Sequence, residues 1–164
     1  MNELLLFGSS VALSLAAWAG ICRLYLWPRV SGLPLPQAAR PILFLHVFRF
    51  VGAAFLIPGV AGPTLPSGFS APAATGDLGA VVLAWAALGA ARGPAARPLL
   101  WVFNLWGTAD LLFAFYQGLA GVGIRPSSLG ATYFIPTVFV PLLLCTHVVL
   151  FVLLLRRDAA LTHP

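Results

Sequence analysis

The sequence predicts an all-α fold, a bundle of five transmembrane helices with the N-terminus outside and the C-terminus cytoplasmic. Three observations point there. Of the 164 residues, 60% are hydrophobic and only 8% charged, where a soluble domain carries roughly 25% charged residues. The apolar residues fall into five runs of about 17–25 residues, the length needed to span hydrocarbon. The arginines gather at alternate ends of those runs, as the positive-inside rule requires. Mean hydropathy is +0.97 and lysine is absent from the sequence. Residues 1–164 therefore read as one integral membrane domain, with no stretch left over to fold a separate domain in water.

The runs lie near residues 3–27, 41–60, 72–91, 98–120 and 131–155. The first carries Ala16-Ala17-Trp18-Ala19, a passable signal-peptidase site, but Met1-Asn2-Glu3 brings an acid and no base, and Arg23 follows the run instead of preceding it. An uncleaved first helix is expected. Ser9, Ser10, Ser14, Ala16, Ala17 and Gly20 give it small surfaces suited to close packing. The second run opens at Pro41 and the fourth at Pro98, each preceded by Ala-Ala-Arg. That similarity hints at a duplicated hairpin, although Arg at an interface followed by Pro at a helix start is chemistry that any spanning helix can adopt.

The third run is the least defined, with an apolar core from Leu78 to Ala91. If its helix starts near Pro72, Asp77 enters the outer half of the membrane; if it starts at Gly76, Asp77 is an acid at a helix N-terminus, favoured by the dipole. In the fifth run, Pro136 and Pro141 remove amide donors and free the carbonyls of Thr132 and Thr137, so a kink is expected there. Connections rich in Gly, Pro or Ser lie at residues 28–40, 61–70, 92–97 and 121–130. In this layout Arg23, Arg29, Arg40, Arg92, Arg97, Arg156 and Arg157 share one side, and Arg125 lies on the other.

The formal charge of +5 follows from that topology, and no basic stretch carries the interleaved aromatics of a nucleic-acid surface. Cys22 and Cys145 lie in apolar segments without C-x-x-C spacing, so neither a disulfide framework nor a metal site is indicated. There is no H-E-x-x-H, no Gly-rich phosphate loop and no credible Ser/His/acid set. No catalytic residue is assigned, although an enzyme acting on lipid remains open.

Chemistry concentrates instead in polar residues set within apolar runs. An Arg or Asp at the centre of a span costs about 2.5–3.5 kcal/mol on insertion scales, so each needs a partner. Counting at about 1.5 Å per residue from the cytoplasmic ends places His46 and Asn104 about 9 Å deep, Arg49 and His147 about 13 Å, and Asp110 about 18 Å. Arg49 and Asp110 form the natural ion pair, since a guanidinium fork suits a carboxylate. His46 and Arg49 share a helix face at i and i+3, Asp110 and Gln117 share another, and Pro136, Val140, Leu143 and His147 form a stripe. With Asp77, these residues make either a ligand-binding cluster or a purely structural network that fixes helix register.

Phe48-Arg49-x-x-Gly52, Gly76-Asp77, Asn104-x-x-Gly107-x-x-Asp110 and Ile135-Pro136-x-x-x-Val140-Pro141 followed by His147 resemble a family of small bacterial integral membrane proteins of unknown function. The resemblance covers about Phe48 to His147 and implies a bacterial multi-pass protein of the inner (plasma) membrane. It supplies no activity. Two positions depart from the family pattern, which often has Trp where this chain has Phe103 and often lacks a His at position 46.

Three functions compete. The cluster of Arg49, Asn104, Asp110 and His147 could hold a small polar or anionic ligand or pass protons, with a homo-oligomer or larger membrane complex completing any pathway. His46 and His147, only about 4 Å apart in depth, could instead ligate haem b, with Arg49 meeting a propionate. The chain could also be a non-enzymatic assembly subunit that packs through its small residues.

Overall fold

The computed structural model describes residues 2–162, with side chains as far as Arg156. Met1, used in the reading of an uncleaved first helix, and the Arg157 side chain, used in the reading of orientation, lie outside the described residues. The chain is helical, with no strand among the described residues beyond an isolated bridge between Pro58 and Ala61. Five helices are long and apolar enough to cross a membrane: α1 (Glu3–Val30), α2 (Leu35–Leu56), α3 (Ser67–Gly89), α4 (Ala96–Gly121) and α5, whose spanning part is Ile135–Arg156.

Asn2 caps α1, its Oδ1 accepting from the Leu4 amide at 3.0 Å, and Glu3 occupies the first turn where an acid complements the helix dipole. Ends that the sequence places together meet in the fold. At the Arg-poor end the Ser127 amide donates to Glu3 and the Ala131 amide to the Val60 carbonyl. At the other end the Arg156 guanidinium lies 4.7 Å from the Trp27 ring centre. Helix α1 packs mainly on α5 and leaves Ser9, Ala16 and Ala17 exposed, so only part of the expected small-residue face is used.

Several boundaries differ from the sequence reading. Helix α2 begins at Leu35, with Pro36 in its first turn, so Pro41 lies inside the helix. Ala38-Ala39-Arg40-Pro41 is thus displaced by a full turn from the position of Ala96-Arg97-Pro98 at the start of α4, which removes the structural basis for a duplicated hairpin. Helix α3 begins at Ser67, earlier than either expected start, and runs through Pro72. The carbonyl that Pro72 frees is that of Gly68, and Gln117 Nε2 donates to it at 2.6 Å. A partner on α4 therefore lets the helix continue, and Asp77 moves to mid-span.

The second half of α2 is a 3-10 helix over Phe48–Leu56. With three residues per turn, positions i, i+3 and i+6 eclipse, and Arg49, Gly52 and Phe55 are its three buried residues. In α5 the first turn, Ile135–Phe139, is a π-helix with Pro136 at its start, where no amide donor is needed, so of the two prolines expected in mid-span only Pro141 removes a donor that the helix would otherwise use. Trp18 Nε1 reaches across from α1 to donate to the Val138 carbonyl at 3.1 Å.

The interior is layered. Toward the Arg-rich end a tight apolar layer brings together Ile42, Leu43, Leu100, Phe103, Leu150 and Leu154, all at most 2% exposed, with small Ala38, Ala39, Ala84 and Ala87 between them. Toward the opposite end Phe7, Phe55, Phe69, Leu111, Leu129 and Leu143 form a second, more aromatic layer. The polar residues lie between the two.

Candidate functional site

Arg49 is the centre of the polar layer and is 0% exposed. Its Nε donates to Asp77 Oδ1 at 2.7 Å, its Nη2 to Asp110 Oδ2 at 2.5 Å, and its Nη1 to the Gly107 carbonyl at 3.3 Å. One guanidinium on α2 thus links α3 and α4. The expected Arg49–Asp110 pair is present, and Asp77 joins it as an equal partner. Charge-assisted bonds of this kind are what make a buried Arg tolerable.

Three glycines make the approach possible. A Cβ at Gly52 would collide with the Asp77 carboxylate, and one at Gly76 with the Asp110 carboxylate. A Cβ at Gly107 would lie 2.5 Å from His147 Nε2 and 3.0 Å from Arg49 Nη1. Each glycine is three residues from, or adjacent to, a charged or amide member of the cluster. The spacing in F-R-x-x-G and N-x-x-G-x-x-D therefore already carried this signal, because residues three apart share a helix face.

Below Arg49 the two buried histidines pack ring on ring, with centroids 4.3 Å apart and planes tilted by 59°. The hydrogen-bond network assigns their tautomers. Thr146 Oγ1 donates to main-chain carbonyls of α5, the nearer being Leu143 at 2.9 Å, so it accepts from His46 Nε2–H at 2.9 Å. Asn104 Nδ2 donates to the His147 carbonyl at 3.3 Å, so its Oδ1 accepts from His147 Nδ1–H at 2.7 Å. The lone pairs left over, on His46 Nδ1 and His147 Nε2, have no hydrogen-bond partner. Thr146 was missed by the sequence reading, for a Thr in an apolar helix ordinarily bonds its own backbone, as this one also does.

The alternative haem arrangement does not fit this packing. Ligation by His46 and His147 requires the porphyrin plane between the rings, yet they touch each other and both contact Phe103, at 5.1 and 5.3 Å between centroids. The two histidines lie at one level of the bundle, but they share a pocket instead of facing across one. Among the described residues no group of three His, Cys, Asp or Glu could hold a metal ion.

Both carboxylates line a cavity of about 50 Å³ that extends from the polar layer into the aromatic layer. Its other walls include Phe7, Phe55, Phe69, Leu111, Ile135 and Pro136. At roughly 10–15 Å³ per water, it has room for a few waters or a small ion. Asp77 and Asp110 side chains are 11% and 13% exposed, whereas that of Arg49 is 0%. The carboxylates thus face the chamber and the guanidinium stands behind them. Pro136 and Val140 line the same chamber, whereas Leu143 and His147, placed on one stripe with them by the sequence, are not among its walls.

No curated protein and no solved structure matches this chain. Residues 6–155 match the family described as Domain of unknown function (DUF8737), and the chain belongs to that family.

Proposed function

We propose that this protein is a membrane-embedded binding module that holds a proton or a small cation on Asp77 and Asp110. The observation that carries the reading is the charge count at the site. One guanidinium meets two carboxylates, and among the described residues no other cationic side chain pairs with either acid. One negative charge is left over in surroundings where an uncompensated ion is costly. A proton or cation entering the chamber restores neutrality. An anionic ligand fits less well, because all three Arg49 nitrogens are engaged and the acids would repel it.

The distribution of arginines supports an N-terminus outside and a C-terminus in the cytoplasm of a bacterial inner membrane. In that orientation the chamber leads toward the outer face, and the apolar layer around Leu43, Leu100 and Leu150 separates it from the cytoplasm. A homo-oligomer or larger complex would supply what a single five-helix copy lacks as a conduit. A second reading, an assembly subunit without a ligand, draws on the exposed Ser9, Ala16 and Ala17 of α1.

The test is thermal unfolding of the detergent-purified full chain with lithium, sodium, ammonium or choline as the only added cation, together with infrared difference spectra. The expected result is a shift that depends on cation size, or a protonated-carboxyl band, lost in Asp110→Asn. Identical unfolding in all four salts together with no carboxyl band would overturn the proposal and favour the assembly subunit.

A further inference from the structure

A second, larger cavity has no part in the cluster. It is a groove of about 440 Å³ between α1 and α5 at the Arg-rich end, with Arg23, Trp27 and Arg156 at its rim. Its floor is apolar and includes Cys22, Val148 and Val149. Arg23 is twenty residues beyond Glu3, which in a helix corresponds to about 30 Å, the thickness of the hydrocarbon core. Arg156 stands at the end of the α5 span. Both guanidiniums thus reach headgroup level, while Val148 and Val149, eight and seven residues before Arg156 in the groove, lie about 10–12 Å deeper at acyl-chain depth.

Neither arginine is ion-paired among the described residues. Arg156 is steadied over the Trp27 ring at 4.7 Å, a contact that favours a cation and leaves the guanidinium edge free to donate. Two unneutralised cations above an apolar trough match a molecule with an anionic head and a hydrocarbon tail. A zwitterionic lipid would bring its own cation beside the two arginines, which weakens its claim.

We propose that the groove between α1 and α5 binds an anionic phospholipid, with its phosphate between Arg23 and Arg156 and one acyl chain along Cys22, Val148 and Val149. Native mass spectrometry of the full chain in detergent, titrated with phosphatidylglycerol, phosphatidylcholine or inorganic phosphate, tests this. Phosphatidylglycerol adducts should persist where phosphatidylcholine is lost, and Arg23→Gln and Arg156→Gln should each weaken them about fivefold, the effect of one basic residue at a membrane surface. Arg40→Gln, exposed at the same end but outside the groove, should leave them unchanged. Should a variant fail to fold, the wild type still decides, since lipid held by guanidiniums is released as salt is raised. Equal retention of both lipids, indifference to salt, or occupation by inorganic phosphate at the lipid's own concentration would each overturn the proposal.

Discussion

Gly76 packs against the Asp110 carboxylate so closely that the space of a Cβ is already taken by the acid. Helix α3 thereby contributes two neighbouring positions to the site, a carboxylate at Asp77 and the absence of a side chain before it. Gly76→Ala must push Asp110 away from Arg49 or separate the helices. Overpacking costs about 1–3 kcal/mol, and the expected outcome is a lower unfolding midpoint. Gly8→Ala, where nothing lies within 4 Å, serves as the control and should be neutral or slightly stabilising. A midpoint for Gly76→Ala equal to that of Gly8→Ala would contradict the packing.

Arg49→Met removes the one cation that, among the described residues, pairs with the buried Asp77 and the partly buried Asp110. Breaking a buried pair from one side costs about 3–5 kcal/mol, enough to abolish accumulation of a folded protein of ordinary stability. The triple variant Arg49→Met, Asp77→Asn, Asp110→Asn should recover much of the loss, since it leaves no charge behind. Detergent-extracted yield and unfolding midpoint measure both. If the triple variant were no better than the single one, the charge argument would be wrong.

Asn104 bonds His147 through both ends of its amide, one to the ring and one to the main chain. Asn104→Ala should cost roughly 0.6–1.7 kcal/mol, the range for interhelical hydrogen bonds in bilayers. His147 Nδ1–H would lose its acceptor, visible as a changed imidazole signal in nitrogen NMR. An unchanged signal would show that the assigned tautomer is not the one present.

Protein purified from haem-replete cells should show no Soret absorption, and His46→Ala and His147→Ala should leave its visible spectrum unaltered. The direct contact of the two rings is the basis for this. A Soret band lost in either variant would refute it.

A cysteine introduced at Ser127 should react with a membrane-impermeant maleimide in intact cells, and one at Gly93 should react only after lysis. Both positions are exposed, at opposite ends of the bundle. The reverse pattern would invert the proposed orientation without altering the site.

The five spans were legible because the cost of polar residues in hydrocarbon forces long apolar runs into the sequence, and that same cost made Arg49, Asn104, Asp110 and His147 conspicuous. Pairing of Arg49 with Asp110 followed from opposite charge at a depth difference that a long guanidinium stem can cover. Asp77 was harder to place. Apart from Phe69, the residues from Ser67 to Thr75 are small and nearly neutral in hydropathy, and Pro72 resembles a helix start until Gln117, forty-five positions later, is known to satisfy the Gly68 carbonyl. Nor could the 3-10 geometry of Phe48–Leu56 be read, for its period emerges only once Arg49, Gly52 and Phe55 must all turn inward together. The histidines failed for a different reason. Axial depth is a single coordinate, and two rings at one level can stack on each other or stand apart across a ligand.

The close-packed leucines and alanines between the histidines and the arginine-rich end give the chamber a dead end. On the proposed reading, an occupant of Asp77 and Asp110 would in this conformation have to leave on the side away from that layer, and a lone copy at rest would hold it without conducting it.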